Sequence, residues 1–268
     1  MNAKTAFRVE VKGHVAWLTL CRPGRRNAMG IAFFKELTDH FRRFDADETV
    51  RVVVIRAEGP CFTAGLDLME AGGLLAGQGA ADREKLRRTI GDLQESNNAI
   101  ERCRKPVIAA VHGHCIGGGV DLLAACDIRM AAADALFSIR ETRIAIVADL
   151  GTLQRLPHII GHGWFRELAL TGRDFTAQEA LAMGFVTRVC EDRPALIQAA
   201  GELAAEITGL APLTVQGVKE VINFSRDNGV YPGLDYVAQK NAAALISDDL
   251  MEAVSAFMEK RPAVFHGK

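Results

Sequence analysis

The chain of 268 residues is marked first by what it does not contain. It has no CxxC pair. Cys21, Cys61, Cys103, Cys115, Cys126 and Cys190 are scattered, mostly in apolar runs, and read as reduced thiols rather than a disulfide frame. It has no excess of charge: 32 Lys and Arg against 33 Asp and Glu leave a net charge of −1, so nothing draws the molecule as a whole toward nucleic acid or an anionic membrane. No apolar run is long enough to span a bilayer. There is no strict repeat and no low-complexity linker. No Gly-Lys-Ser/Thr follows the glycines at 117–119, so they do not form a P-loop. The opening residues show neither a signal-peptide core nor an Arg-rich presequence, and Phe265-His266-Gly267-Lys268 is not a peroxisomal address; the expected location is the cytoplasm.

What is present is an ordinary globular composition, 49% apolar and 24% charged, long enough for a sizeable core. Residues 7–20 alternate around Lys12-Gly13 and predict a hairpin. Ile31, Phe33, Phe34, Leu37, Phe41 and Phe44 recur at helical spacing. Short β-rich runs at 51–56, 106–111, 126–131, 135–139 and 185–189 alternate with helical patterns, and residues 70–81 read as a mobile loop before a charged amphipathic helix over 81–104. From residue 151 helices dominate. The texture predicts an α/β core with a helical appendage, and amphipathic appendages often bury their apolar face against a second copy.

The chain is organised around His112-Gly113-His114-Cys115-Ile116-Gly117-Gly118-Gly119-Val120-Asp121, between an apolar strand and a helix. Glycines there let backbone approach a ligand, and the first N–H groups of the helix, at the positive end of its dipole, suit an oxygen that gains negative charge. His112, His114 and Cys115 fit no common zinc spacing, so no metal is expected. A second backbone-donor candidate is Phe62-Thr63-Ala64-Gly65-Leu66-Asp67-Leu68, in which Asp67 reads as a helix N-cap.

These two segments, with the basic loop Arg22-Pro23-Gly24-Arg25-Arg26-Asn27-Ala28-Met29 and with Gly151-Thr152-Leu153-Gln154-Arg155-Leu156, resemble the enoyl-CoA hydratase/isomerase (crotonase) family, in order and over nearly the whole chain. The resemblance implies a crotonase-like spiral of ββα turns over residues 1–200 holding an acyl-CoA site, and a helical region over 201–268 that supports a homotrimer or a dimer of trimers. It implies an acyl-CoA thioester as substrate, CoA being part of that substrate rather than a separate cofactor. The thioester oxygen would lie between the N–H groups of Leu66 and Gly118, with Ala64, Gly65, Asp67 and Leu68 around it and Arg26 toward the phosphates of CoA.

Because one fold hosts many reactions, the acids must decide among them. Asp121 lies just past the glycines, Glu141 follows the strand at 137–139, and Asp149 sits in apolar surroundings that are costly for a charge without a role. This combination resembles the Δ3,5-Δ2,4-dienoyl-CoA isomerase branch. Carried over by position, Glu141 and Asp149 would be the proton-shuttling pair and Asp121 an electrostatic and orienting partner. The alternative is an enoyl-CoA hydratase using Asp121 and Glu141; a further competitor is a non-enzymatic RNA-binding member, against which the near-zero net charge argues. Arg140 and Arg143 flank Glu141, and pairing with either would make that carboxylate structural.

Overall fold

The computed structural model describes residues 5–72 and 79–268. Strands β1 (Phe7–Lys12) and β2 (Val15–Leu20) form the expected hairpin. Helix α1 (Ile31–Ala46) and strand β3 (Val52–Ala57) follow, then α2 (Leu68–Ala71) and α3 (Ala80–Arg102). The expected loop at 70–81 is thus helical at both ends; its residues 73–78 lie outside the described residues. Next come β4 (Val107–Val111), β5 (His114–Ile116), α4 (Gly118–Ala125), β6 (Ile128–Ala132) and β7 (Leu136–Ser138). After α5 (Thr152–Arg155) and α6 (Pro157–Thr171), β8 (Asp174–Thr176), α7 (Ala177–Ala182) and β9 (Arg188–Cys190) complete the sheets. Four helices close the chain: α8 (Arg193–Thr208), α9 (Pro212–Asn228), α10 (Val230–Ala244) and α11 (Asp248–Glu259).

One sheet runs β1-β2-β3-β4-β6-β9, parallel except for the hairpin; a smaller one runs β5-β7-β8. The inner strands β3, β4 and β6 of the large sheet are covered on both faces, which is why they read as apolar runs. In β3 the two-residue period sends Val53 and Ile55 toward α1 and α3, and Val52 and Val54 toward α8, where Leu196, Ala200 and Ala204 meet them. The expected boundary at residue 200 falls inside α8, which packs on the sheet on both sides of it.

The unit that repeats is a strand in the large sheet, a short extended segment in the small layer, then a helix. β4, β5 and α4 make one such turn. β3 makes another, because Thr63 bridges Cys115 alongside β5, and Leu66 bridges Met29 from the turn before. Successive turns therefore stack the loops after β2, β3 and β4 directly on one another. The last helices bury little: Lys219 is the buried residue of α9 and Gly233 that of α10, while Leu213, Val218, Ile222, Tyr231, Leu234, Met251, Val254 and Phe257 remain exposed.

Candidate active site

The stacked loops make a backbone cradle. In the first, Asn27 takes left-handed backbone (φ 52°), which Asn tolerates. Its buried side chain donates to the carbonyls of Glu58 (2.9 Å) and Cys61 (3.1 Å) and accepts from the N–H of Arg22 (2.9 Å). In the second, the Thr63 hydroxyl donates to Asn27 O (2.7 Å) and accepts from Gly65 N–H (3.0 Å), and Met29 N–H donates to Gly65 O (2.8 Å). Only glycine fits at 65: φ is +83°, and a Cβ would lie 2.6 Å from Ile116 O. In the third, Ile116 N–H donates to Thr63 O (3.2 Å) and Gly117 N–H to Ser138 O (2.9 Å). Gly117 has φ +53°, and a Cβ on it would press within 3.1 Å of Glu141 Oε1, so the carboxylate lies directly against the turn.

The N–H groups of Leu66 and Gly118 donate to no acceptor among the described residues. Gly118 opens α4, so its N–H also carries the positive end of that helix's dipole. Both residues line a cavity of about 340 Å³, together with Ala64, Gly65, Asp121, Glu141 and Asp149 and an apolar wall that includes Phe34, Leu86, Ile90, Leu93 and Ile146.

The three acids expected to matter therefore meet in one cavity, and none of them is ion-paired among the described residues. Asp121 is buried; its Oδ1 accepts from Thr152 N–H at 2.7 Å, yet burial still pushes its pKa up to about 6. Glu141 is pushed up to about 7, by burial first and then by the neighbouring charge of Asp121, and its buried Oε2 has no hydrogen-bond partner among the described residues. Burial also raises Asp149, whose carboxylate has no partner side chain. The flanking arginines leave Glu141 alone. Arg140 is drawn off to Asp174 and to the Ser138 hydroxyl, and Arg143 points its Nε at Thr171 O (3.4 Å). Asp121 and Glu141, raised to about 6 and about 7, are placed to exchange protons near neutral pH.

The other expected residues divide between the cavity and its surroundings. Asp67 faces away from the cavity: it caps α2 through the N–H groups of Met69 (3.2 Å) and Glu70 (3.4 Å) and pairs with Arg25 (2.6 Å). Leu68 lines the cavity. The Arg26 side chain is in neither cavity wall; its carbonyl accepts from Ala64 N–H, so its backbone serves the cradle. Arg22 and Arg25 line a separate cleft of about 610 Å³ with Glu36, Glu58 and Glu70. His112 turns Nε2 to Gly59 O (2.9 Å), His114 is exposed, and Cys115 is buried beneath the glycine turn.

Some supporting residues had no role at the level of sequence. Asn27 was visible only as part of a basic turn. Gln94 and Asn97 on α3 donate to the carbonyls of Asp149 (2.7 Å) and Leu150 (3.0 Å). The signal that could have found them is a polar stripe at helical spacing (94, 97, 98, 101) on a helix that otherwise reads as solvated.

Comparison with known proteins gives a consistent picture. The family model for enoyl-CoA hydratase/isomerase matches residues 10–268. A peroxisomal Delta(3,5)-Delta(2,4)-dienoyl-CoA isomerase of Arabidopsis thaliana is 46% identical over 97% of this chain and 95% of its own length. The mitochondrial Delta(3,5)-Delta(2,4)-dienoyl-CoA isomerase of Homo sapiens is 46% identical over 92% of this chain and 77% of its own length. Among solved structures, an enoyl-CoA hydratase from Bacillus anthracis superposes with a TM-score of 0.91 at 32% identity, covering 98% of this chain and 100% of the other. The architecture is the expected α/β crotonase-like spiral.

Proposed function

The chain belongs to the enoyl-CoA hydratase/isomerase family, and from that premise we propose that it is an acyl-CoA isomerase converting a 3,5-dienoyl-CoA to a 2,4-dienoyl-CoA. The observation that carries this reading is the meeting of three unpaired carboxyl groups with two unused backbone donors in one apolar cavity.

The chemistry follows from that arrangement. The thioester oxygen accepts from Leu66 and Gly118 N–H, which lowers the barrier to an enolate; losing one such donor typically costs about 2.7–4 kcal/mol. Ionised Glu141 takes the proton from C2. The electron pair spreads as a dienolate from the thioester oxygen to C6, and the protonated form of Asp149 delivers its proton to C6. The 3,5-diene becomes a 2,4-diene conjugated with the carbonyl, and nothing is consumed. C2 and C6 are too far apart for one short side chain, which is why two acids serve. Asp121 orients the loop through Thr152, and its charge adds to burial in holding the Glu141 pKa at about 7, so that ionised and protonated forms are both populated. No metal and no cofactor apart from the CoA of the substrate enters this scheme.

The test is to give the purified protein a 3,5-dienoyl-CoA and a 2-enoyl-CoA and to follow the conjugated dienoyl chromophore. The expected result is its growth from the first substrate. Water addition to the second, with no turnover of the first, would favour a hydratase working through Asp121 and Glu141.

Two further features belong to the same reading. Residues 201–268 act as the assembly region of a homotrimer or a dimer of trimers, supported by the exposed apolar faces of α9, α10 and α11 and checked by native mass measurement. No helix of the described residues is long and apolar enough to cross a membrane. The six free cysteines fit a reducing compartment, which the cytoplasm shares with the organelles of the peroxisomal and mitochondrial relatives named above; fractionation of the source cells distinguishes these.

A further inference from the structure

Asp149 presents a difficulty for any proton transfer. Its carboxylate has no hydrogen-bond partner on another of the described residues, and none of these aims the side chain directly. Its aim depends on the backbone beneath it, and that backbone belongs to a loop between the 3₁₀ turn at Glu141–Ile144 and the short helix α5.

Helix α3 holds that loop. Gln94 Nε2 donates to Asp149 O (2.7 Å), and the buried Asn97 Nδ2 donates to Leu150 O (3.0 Å). One turn further on, Asn98 Oδ1 accepts from Arg155 (2.8 Å), and Glu101 receives Arg155 through both carboxylate oxygens (3.1 and 2.9 Å). Positions 94, 97, 98 and 101 share one face of a helix, so a single rigid element grips the loop at Asp149, Leu150 and Arg155 in succession. From the other side, Asp121 accepts the Thr152 N–H. The same helix presents Leu86, Ile90 and Leu93 to the cavity as its apolar wall. The element that shapes the space for the acyl chain is thus also the one that sets where Asp149 stands over it.

Resting on the isomerase reading, we propose that Gln94 and Asn97 are positioning residues that fix which carbon of the dienolate is protonated. With the carbonyls of 149 and 150 clamped, the Asp149 carboxyl reaches C6. With the clamp loosened, the dienolate returns to substrate by taking a proton back at C2 from Glu141, or takes one at C4 to give a 2,5-diene. Every path conserves atoms and electrons; only the site of proton return changes.

The experiment compares the wild type, Gln94→Met, which keeps length without a donor, and Gln94→Met combined with Asn97→Ser. Each is incubated with a 3,5-dienoyl-CoA in D₂O. Two rates are read separately: deuterium entry at C2 of recovered substrate, and formation of the 2,4-diene. The expected result for Gln94→Met is C2 exchange within about twofold of the wild type and 2,4-diene formation reduced about tenfold, the scale of one ordinary hydrogen bond. The double variant shifts the ratio further in the same direction, and any new product is the 2,5-diene. Equal loss of both rates together with a lowered melting temperature would overturn the proposal in favour of plain packing, as would an unchanged ratio in both variants. A wild type that neither exchanges C2 nor forms the 2,4-diene would overturn the isomerase reading itself.

Discussion

Of two cavities in the molecule, the larger, about 940 Å³ and bounded by α3, α4, α6 and α9, has each of its acids facing a cation; in the smaller, about 340 Å³, none does among the described residues. Glu101 in the larger cavity is bonded to Arg155 (2.9 Å) and Arg226 (2.6 Å). Burial alone would raise it, and the two guanidiniums outweigh burial and hold it below the usual carboxylate range. Asp127 accepts from Lys219 Nζ (2.7 Å) and from Val107 N–H (2.7 Å). Glu141 in the smaller cavity has the same chemistry as Glu101 and comparable enclosure, yet it is pushed up to about 7, by burial first and then by the charge of Asp121, with no cation bonded to it among the described residues to offset them. Size and apolar lining therefore do not identify the reactive site. Paired acids tie helices together; unpaired ones hold protons that can leave.

That contrast can be broken at several points. The largest effect is expected from Glu141→Gln, which removes the group assigned to C2: dienoyl turnover should fall about 10³-fold by stopped-flow absorbance. In the wild type the same rate should rise with pH through about 7 as Glu141 ionises, and this limb should be absent from whatever activity remains in the variant. Next is Lys219→Ala, which leaves the partly buried Asp127 and the carbonyls of Ile100 and Lys105 beside an empty position. Unfolding in urea should show a loss of about 3 kcal/mol, with the kinetic constants of the folded fraction unchanged.

A smaller effect separates the two cavities by sign. The folded pKa of Glu141 lies above its ordinary 4.5, so between about pH 4.5 and 7 the folded chain binds the extra proton. Its favourable contribution is whole below that window and is lost as pH rises through about 7. Glu141→Gln should therefore stabilise the protein by about 2 kcal/mol at pH 8 and by nearly nothing at pH 4, measured by thermal melts. Removal of Glu101 should do the reverse and destabilise at neutral pH. The smallest effect is expected from Arg143→Gln. Arg143 is exposed and among the described residues hydrogen-bonds only Thr171 O, so turnover should change by less than about twofold.

The legibility of the sequence follows the same physical divide between local and distant causes. The hairpin around Gly13, the Phe-rich face of α1 and the N-cap role of Asp67 depend on neighbours within a few residues, and all were readable. The glycine stretch was read as one turn between strand and helix. It contains a strand as well, β5, because His112-Gly113 carries the chain from the large sheet to the small one. β5 and β8 are three residues long and exist only through pairing with β7, so no local period marks them. The three acids were found by their order along the chain, but that neither flanking arginine meets Glu141 depends on Asp174 and Thr171, each about 30 residues away. Gln94 and Asn97 were hidden for the same reason. A polar face on a helix ordinarily faces water, and here it faces a loop more than 50 residues on.

The most direct test of the account is where solvent hydrogen enters the product. After turnover of a 3,5-dienoyl-CoA in D₂O, the 2,4-dienoyl product should carry deuterium at C6, delivered by an Asp149 that exchanges with solvent independently of Glu141. A C2 proton that reappears undiluted at C6, or water bound at C3 in place of a new diene, would contradict a two-acid isomerisation in this cavity.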